Sequence, residues 1–112
     1  MRAETLKGHL DGLLLASLEA GPRHGYAIME ALRAGSGGQF DLPTGTVYPA
    51  LRRLERADLI QGAWSREAGR QRRVYQLTPA GRSALAAERG TWREFSAAVT
   101  ALLQPAPRPV TS

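Results

Sequence analysis

The sequence contains no cysteine, which excludes disulfide cross-links and thiolate metal sites. Its two histidines, His9 and His24, have no second ligand at metal-binding spacing. The longest apolar run, 13–18, is too short to cross a bilayer, and acidic residues interrupt any signal-peptide pattern near the N-terminus. No Ser, His and acid arrangement suggests nucleophilic catalysis. These absences favour a cytoplasmic protein that is not an enzyme, needs no cofactor or metal, and does not bind membranes.

Positive charge is concentrated in one part of the chain. Fifteen lysines and arginines stand against ten acids, which gives a net charge of +5 over 112 residues. Positions 52–73 hold seven arginines and three acids, so this segment alone contributes a charge of +4. A local basic stretch favours a polyanionic partner such as nucleic acid, although a merely solvated basic surface fits the charge equally well.

Apolar spacing predicts two helices in the first third of the chain. The first spans 5–19, with its apolar face at Leu6, Leu10, Leu13, Leu14 and Leu18. The second spans 24–34, with its apolar set at Tyr26, Ile28, Met29 and Leu32. The glycine-rich segment 35–38 has no strand before it and no phosphate-binding lysine after it, so we interpret it as a connection between helices.

A third helix, beginning near Thr44, has two chemically different faces. Its apolar positions recur at helical spacing at Val47, Ala50, Leu51 and Leu54. Hydroxyls, a tyrosine and arginines fall outside that stripe, at Thr46, Tyr48, Arg52, Arg53 and Arg56. Such a helix suits insertion into a DNA major groove. Either Thr44 or Thr46 is the N-cap; Pro49 lies in the first turn if Thr46 caps and removes one backbone bond if Thr44 caps.

Two strand-like runs follow this helix, at 59–64 and 74–77, and a basic turn at 67–70 joins them. A helix followed by a basic hairpin is the order of a winged helix-turn-helix. The predicted fold is therefore mainly α with a small β-hairpin wing and a C-terminal dimerisation helix.

A last helix is predicted over 79–103, with Thr78 as its cap and Pro79 at its first position. Apolar residues recur there at heptad spacing, a pattern that favours a partner helix, although Glu88 occupies one seam position. The predicted dimer seam consists of Leu85, Trp92, Phe95, Val99 and Leu102. Residues 104–112 contain three prolines and are predicted to be a disordered tail. The chain thus divides into a winged-helix domain over 1–78, a dimerisation helix over 79–103 and a tail.

Three segments together resemble the PadR family of winged-helix transcriptional regulators: His24-Gly25-Tyr26, GTVYPALRRLERADLI at 45–60 and RRVYQLTPAG at 72–81. The resemblance implies a homodimer that binds palindromic double-stranded operator DNA, commonly as a repressor released by a small aromatic effector. The single C-terminal helix is similar to the short-form branch of the family. Two positions depart from the pattern, since Asp58 stands where glycine is usual and Gln71 where the wing often has proline.

Carried over position by position, the resemblance implies DNA contacts at Lys7, Thr44, Thr46, Tyr48, Arg52, Arg53, Arg70, Arg72 and Arg73. The Tyr48 ring lies beside the apolar stripe, so packing explains it as well as DNA contact does. We expect Trp92 and Phe95 to bind the effector near the dimer axis, while simple packing of Trp92 against a partner helix explains the same position. The alternative function is a winged-helix module that binds protein or structured RNA instead of operator DNA.

Overall fold

The computed structural model describes Leu6 and residues 8–107. Its elements run in the order α1 (Leu10–Ser17), β1 (Arg23–His24), α2 (Gly25–Gly35), α3 (Thr44–Arg56), β2 (Ile60–Glu67), β3 (Arg70–Leu77) and α4 (Pro79–Leu103). The three strands form one antiparallel sheet in the order β1-β3-β2. This is the predicted winged helix-turn-helix, with β2 and β3 as the wing.

The apolar stripe of α3 lies at the centre of the core. Val47, Ala50, Leu51 and Leu54 are each 2% exposed or less. They belong to one cluster with leucines of α1, Ile28 of α2 and Ile60 of β2. Burial of one large aliphatic side chain contributes about 1.5–3 kcal/mol, so the orientation of α3 is strongly determined.

The helix predicted over 5–19 is interrupted: Leu6 is helical, a turn follows at Gly8 and His9, and α1 spans Leu10–Ser17. Residues 5 and 7 of the predicted helix lie outside the described residues. Gly8 lies in the preceding turn with a φ of +90°, a left-handed conformation that glycine adopts without steric conflict. The predicted face is buried at Leu6, Leu14 and Leu18 but only half-buried at Leu10 and Leu13. Leu15, outside that predicted face, is 1% exposed.

Both predicted N-caps of α3 are wrong. The cap is Pro43, with φ −77° and ψ 159°, and it provides no side-chain hydrogen bond. Its carbonyl accepts from the backbone N–H groups of Thr46 and Val47, at 3.0 and 3.1 Å. The ring of proline already fixes φ near the value that an extended cap needs, so the helix begins before either hydroxyl is required as a cap. Pro49 consequently lies inside the helix.

The C-terminus of α3 is a Schellman motif. The N–H of Leu59 donates to the carbonyl of Leu54 and that of Asp58 to the carbonyl of Glu55, both at 3.0 Å. The motif requires a left-handed residue after the cap, and Asp58 occupies that position with a φ of +61°. Asp58, at one of the two positions that depart from the family pattern, thus adopts a left-handed conformation that is sterically costly for a residue with a Cβ.

The wing is longer than its two apolar runs predicted. The strands pair without interruption from Ile60 opposite Leu77 to Glu67 opposite Arg70. Ala68 and Gly69 form the two-residue tip, with φ values of +50° and +77° that match a type I′ hairpin turn. Beyond Trp64 the hairpin is polar on both faces, so hydrophobic periodicity did not reveal this part of it.

The last helix begins and ends where it was predicted. The Thr78 hydroxyl accepts from the N–H of Gly81 at 3.0 Å, and α4 continues to Leu103. A Cβ at Gly81 would overlap the Leu59 carbonyl oxygen, so glycine allows α4 to pack directly against the segment between α3 and β2. None of the helices described here combines the length and apolarity needed to span a membrane.

Beyond its first turns α4 extends away from the domain. Leu85 is the last residue of α4 in the core, at 4% exposed. The radius of gyration is 17.9 Å and the longest dimension 75 Å. A compact chain of this length has a radius of about 13 Å, and the larger value reflects the distal part of α4, where Phe95, Leu102 and Leu103 are exposed in the described structure. The predicted tail includes 108–112, which lie outside the described residues.

We predict that Asp58→Gly stabilises the protein, because glycine removes the steric cost of the left-handed C-terminal position. The gain should be about 0.5–1 kcal/mol, after the additional backbone entropy that glycine loses on folding. Chemical denaturation at one protein concentration measures it. Asp58→Ala is the matched control, since it removes the carboxylate but retains the Cβ. Equal stabilisation by both variants would show that charge, and not conformation, is responsible.

Candidate nucleic-acid interface

The polar residues of α3 fall into three groups by the partners that surround them. Arg53 reaches α1, where it forms an ion pair with Asp11. Glu55 reaches the wing, where it forms an ion pair with Arg73. Arg52 and Arg56 are exposed, and the Nε of Arg56 donates to the Arg52 carbonyl at 3.4 Å. The arginines of this surface therefore differ in how much of their charge is already compensated.

Two threonines stand in the first turn of α3. Thr44 is exposed and Thr46 half-buried, and neither hydroxyl caps the helix. The leading backbone N–H groups of a helix have no intrahelical acceptor and carry partial positive charge. Thr44 and Thr46 are thus placed where a phosphate would be stabilised.

Tyr48 is half-buried, and its ring packs against the core of the domain. A Cβ added at Gly25 would lie 2.6 and 2.7 Å from two carbons of the Tyr48 ring, so the ring rests directly on the start of α2. The Tyr26 ring meets it edge-on, with centroids 6.4 Å apart. Burial raises the pKa of the Tyr48 hydroxyl above its ordinary value, with a smaller contribution from Tyr26.

Tyr26 itself was wrongly assigned to the apolar set of α2, since it is 64% exposed. It leans against Tyr48 from outside the core, while Ile28 and Leu32 face inward. Helical spacing does not distinguish a ring that packs on another ring at the surface from a side chain buried in the core, so the spacing placed Tyr26 in the apolar set.

The arginines of the wing lie on both faces of β3, because successive strand residues alternate. Arg73 stands opposite Trp64, and its guanidinium lies 5.6 Å from the centroid of that ring. A hydrogen bond to Glu55 raises the pKa of Arg73. Arg72, on the other face, places Nη1 2.8 Å from the Nε2 of His24. Glu55, Trp64 and His24 were not predicted as site residues, because their partners are distant in sequence.

His24 stands between two donors. Its Nδ1 lies 3.2 Å from the N of Ala27 at the start of α2, and its Nε2 faces Arg72. A neutral imidazole has one acceptor nitrogen, so one of these contacts at a time is a hydrogen bond. The shorter, charge-assisted contact with Arg72 is the stronger of the two. A protonated ring has no acceptor and satisfies neither.

A cavity of about 460 Å³ separates the wing from the ends of α2 and α3. The rings of Tyr26, Tyr48 and Trp64 and the wing residues 70–73 line it. The outer half of the wing therefore meets the domain through the polar contacts of Arg72 and Arg73, with a cavity beside them.

Within the described part of the chain, six exposed arginines have no ion pair: Arg52, Arg56, Arg66, Arg70, Arg82 and Arg93. The first four come from α3 and the wing, the two elements that the sequence assigned to nucleic acid, and the last two come from α4. Lys7, the remaining predicted contact, lies outside the described residues. No group of His, Asp and Glu among the residues described has the arrangement of a metal site.

The predicted dimer seam is exposed along most of α4. Trp92 and Phe95 are 53% and 56% exposed, and Leu102 is 85% exposed. Val99 is half-buried, and Leu103, which the heptad spacing missed, is exposed as well. Leu85 is different, because it is buried in the chain's own core and is not available to a partner.

Trp92 already has neighbours within the chain. Its ring meets His9 of the turn before α1 edge-on at 5.4 Å and lies 6.0 Å from the Phe95 ring. A cavity of about 150 Å³ lies beside it, between α1 and α4. Ligand pockets usually enclose about 300–1,000 Å³, so the cavity in this chain offers too little room for a drug-sized molecule.

The helix-turn-helix followed by a basic hairpin defines a winged-helix protein. The chain belongs to the PadR-like family of transcriptional regulators, whose family model matches residues 14–87. It is 38% identical over 74 residues to "Transcriptional regulator Rv3488" of Mycobacterium tuberculosis, an alignment that covers 66% of this chain and 56% of that protein.

Solved structures agree with this assignment. A PadR family regulator from Clostridium difficile superposes with a TM-score of 0.78 at 31% identity, covering 87% of this chain and 100% of that one. The Bacillus subtilis PadR structure in complex with operator DNA superposes with a TM-score of 0.64 at 22% identity. That match covers 93% of this chain and 53% of the other, and it concerns the fold.

Proposed function

We propose that this protein is a cytoplasmic, sequence-specific DNA-binding regulator that inserts α3 into the major groove of its operator. The supporting observation is that α3 buries its entire apolar stripe and leaves Arg52 and Arg56 exposed without carboxylate partners in the described structure. The Bacillus subtilis relative, which shares the fold, was solved on operator DNA.

The proposed DNA-contacting residues differ in whether they must give up an existing interaction within the chain before they bind DNA. Arg52 and Arg70 have no ion pair to give up within the described chain, and Thr44 and Thr46 add hydroxyls at a helix N-terminus. Arg53 exchanges a half-exposed partner for a phosphate, which costs little because exposed ion pairs contribute about 0–1 kcal/mol. Arg72 and Lys7 complete the proposed phosphate contacts.

We predict that Arg52→Ala and Arg70→Ala weaken DNA binding by different routes. Loss of a base contact by Arg52 should relax sequence preference, at about 1–3 kcal/mol. Loss of a phosphate contact by Arg70 should weaken binding to all duplexes and lower the salt slope by roughly one unit. Titrations of labelled operator and random duplexes at several salt concentrations measure both effects. Arg82→Ala on α4 is the control, and an affinity independent of salt would contradict the proposal.

The exposed seam of α4 supports a homodimer, in which a second copy covers the apolar side chains that this chain leaves open. Isologous pairing gives a two-fold axis and hence a palindromic operator with half-sites about one helical turn apart, or a multiple. Because Leu85 belongs to the domain core, the dimer contacts in this proposal begin at Trp92 and extend to Leu103.

We predict that Phe95→Glu and Leu102→Glu yield monomers that fold normally but bind the palindrome much more weakly. A carboxylate buried between two helices without a partner would destabilise the dimer. Neither position belongs to the core of the chain, so the fold should be retained. These variants are preferable to truncation at residue 83, which would remove Leu85 and damage the domain. Light scattering gives the mass, with Glu94→Gln as the control. A full-length protein that is monomeric at micromolar concentration would refute the dimer.

We further infer that the protein represses transcription and that a small planar aromatic effector releases it from DNA. Trp92 and Phe95 present two exposed rings on the seam, and aromatic faces stack on flat ligands. The small cavity beside Trp92 reaches ligand size only if a partner helix supplies the opposite wall. The effector must bind the free dimer more tightly than the DNA-bound dimer.

We predict that such a ligand quenches Trp92 and weakens DNA binding together. Typical coupling of about 1–3 kcal/mol corresponds to roughly 5–150-fold in affinity. Emission is recorded in a Trp64→Phe variant, so that Trp92 alone reports, against a panel of planar aromatic acids, drugs and cationic dyes. Trp92→Ala serves as the test of location. Unchanged ligand affinity in that variant would place the site elsewhere.

A further inference from the structure

The outer half of the wing is held at a distance from the domain, and we propose that Glu55 and Arg73 form the brace that sets its angle against α3. In this assignment Arg73 is a positioning residue, and it acts on DNA binding through the wing. The inference rests on the proposed function, since its main readout is DNA affinity.

Hydrophobic packing does not extend into the outer half of the hairpin. Ile60, Tyr75 and Leu77 anchor the inner half, at 0%, 4% and 8% exposed. Trp64 lies two residues beyond the Gly62–Tyr75 pair, towards the tip of the wing, and is 66% exposed. The cavity of about 460 Å³ lies between this part of the wing and the helices. An isolated two-stranded hairpin is at best marginally stable, so polar contacts must hold its direction.

Three separate contacts determine the position of the Arg73 side chain. The side chain passes directly over Gly62, where an added Cβ would lie 2.7 Å from the Nε of Arg73. Only glycine leaves room for the arginine at this position. Its guanidinium stacks over Trp64, and its Nη2 donates to the Oε2 of Glu55. An arginine so constrained has little freedom to turn towards a phosphate.

The burial of this pair distinguishes it from the other ion pair of α3. The side chains of Arg73 and Glu55 are 32% and 29% exposed, whereas those of Arg53 and Asp11 are 56% and 45% exposed. Water and salt screen a partly buried pair less, so its attraction is stronger. If Arg73 turned to DNA, Glu55 would remain as an uncompensated carboxylate beside the phosphates.

A second contact holds the opposite face of the same strand. Arg72 meets His24 at the junction of β1 and α2, while Arg73 meets Glu55 of α3. Neighbouring residues of β3 thus reach two different elements from two faces. The wing is supported against tilting in both directions, and the position of Arg70 near its tip follows from that support.

Glu55→Gln should change the affinity for the operator in opposite directions, depending on whether Arg73 contacts DNA or supports the wing. If Arg73 were a DNA contact restrained by Glu55, then Glu55→Gln would free it, remove a negative charge and tighten binding. If the pair is a brace, Glu55→Gln weakens operator binding, by at least about threefold for a coupled pair. The matched control is Glu67→Gln, which removes one negative charge from the wing without touching the brace and should bind as well as the unaltered protein or better.

A double-mutant cycle separates coupling from independent effects. We expect Glu55→Gln and Arg73→Gln each to weaken binding, and the double variant to bind as weakly as the worse of the two. Additive or compensating effects, or tighter binding by Glu55→Gln, would overturn the brace. Thermal denaturation of each variant shows whether the fold is retained.

A measurement without DNA tests the brace independently of the proposed function. In a Trp92→Phe background, the emission of Trp64 reports the guanidinium above its ring, and Glu55→Gln should shift it whereas Glu67→Gln should not. If the unaltered protein failed to bind any duplex while Trp64 responded as expected, the proposed function would fail and the brace would stand. An unchanged Trp64 emission would remove the brace.

Discussion

The burial of the α3 stripe is the constraint on which the rest of the structure depends. Four apolar side chains on one side of this helix are almost completely enclosed by α1, α2 and β2. Rotation of the helix about its axis would expose them, at a cost of several kcal/mol. The arginines on the remaining circumference are therefore held outward by hydrophobic burial on the other side. The Schellman turn at Asp58 then directs the chain into the wing, and Gly81 lets α4 pack against that same turn.

Packing around α3 also determines which arginines of α3 and the wing have a partner within the chain. The three that have partners find them far away in the sequence, at separations of 42, 18 and 48 residues for Arg53, Arg73 and Arg72. An arginine with a carboxylate or imidazole beside it is partly compensated, while one without a partner presents its full charge to an anion. A basic segment of similar residues thus becomes a surface on which Arg53 is paired with α1, Arg72 and Arg73 support the wing, and other arginines have no ion pair in the described structure.

The exposed apolar side chains fall into two groups with different explanations. Tyr26 and Trp64 border the wing cavity, where Tyr48 and Arg73 cover one side of each ring. Those on α4 extend along 92–103, where the helix leaves the domain and little of the chain is near enough to cover them. The apolar surface of α4 is of the kind that a second copy of the chain would bury. The rings of Tyr26 and Trp64 instead belong to a surface that also carries the arginines of the wing.

The amino-acid sequence by itself determined the order of the elements other than β1, the stripe of α3, the start and end of α4 and the family, because periodicity and motifs are local properties. Reasoning from sequence missed β1 and the break at Gly8 and misplaced the cap of α3, since none of these interrupts the apolar spacing, and it shortened the wing, which is polar on both faces beyond Trp64. The packing of Tyr48 on Gly25, the removal of Leu85 from the dimer seam and the choice between free and engaged arginines were decided only by the tertiary structure. The physical reason is that each depends on side chains brought together by the burial of α3, and no spacing along the chain records which distant group arrives beside them.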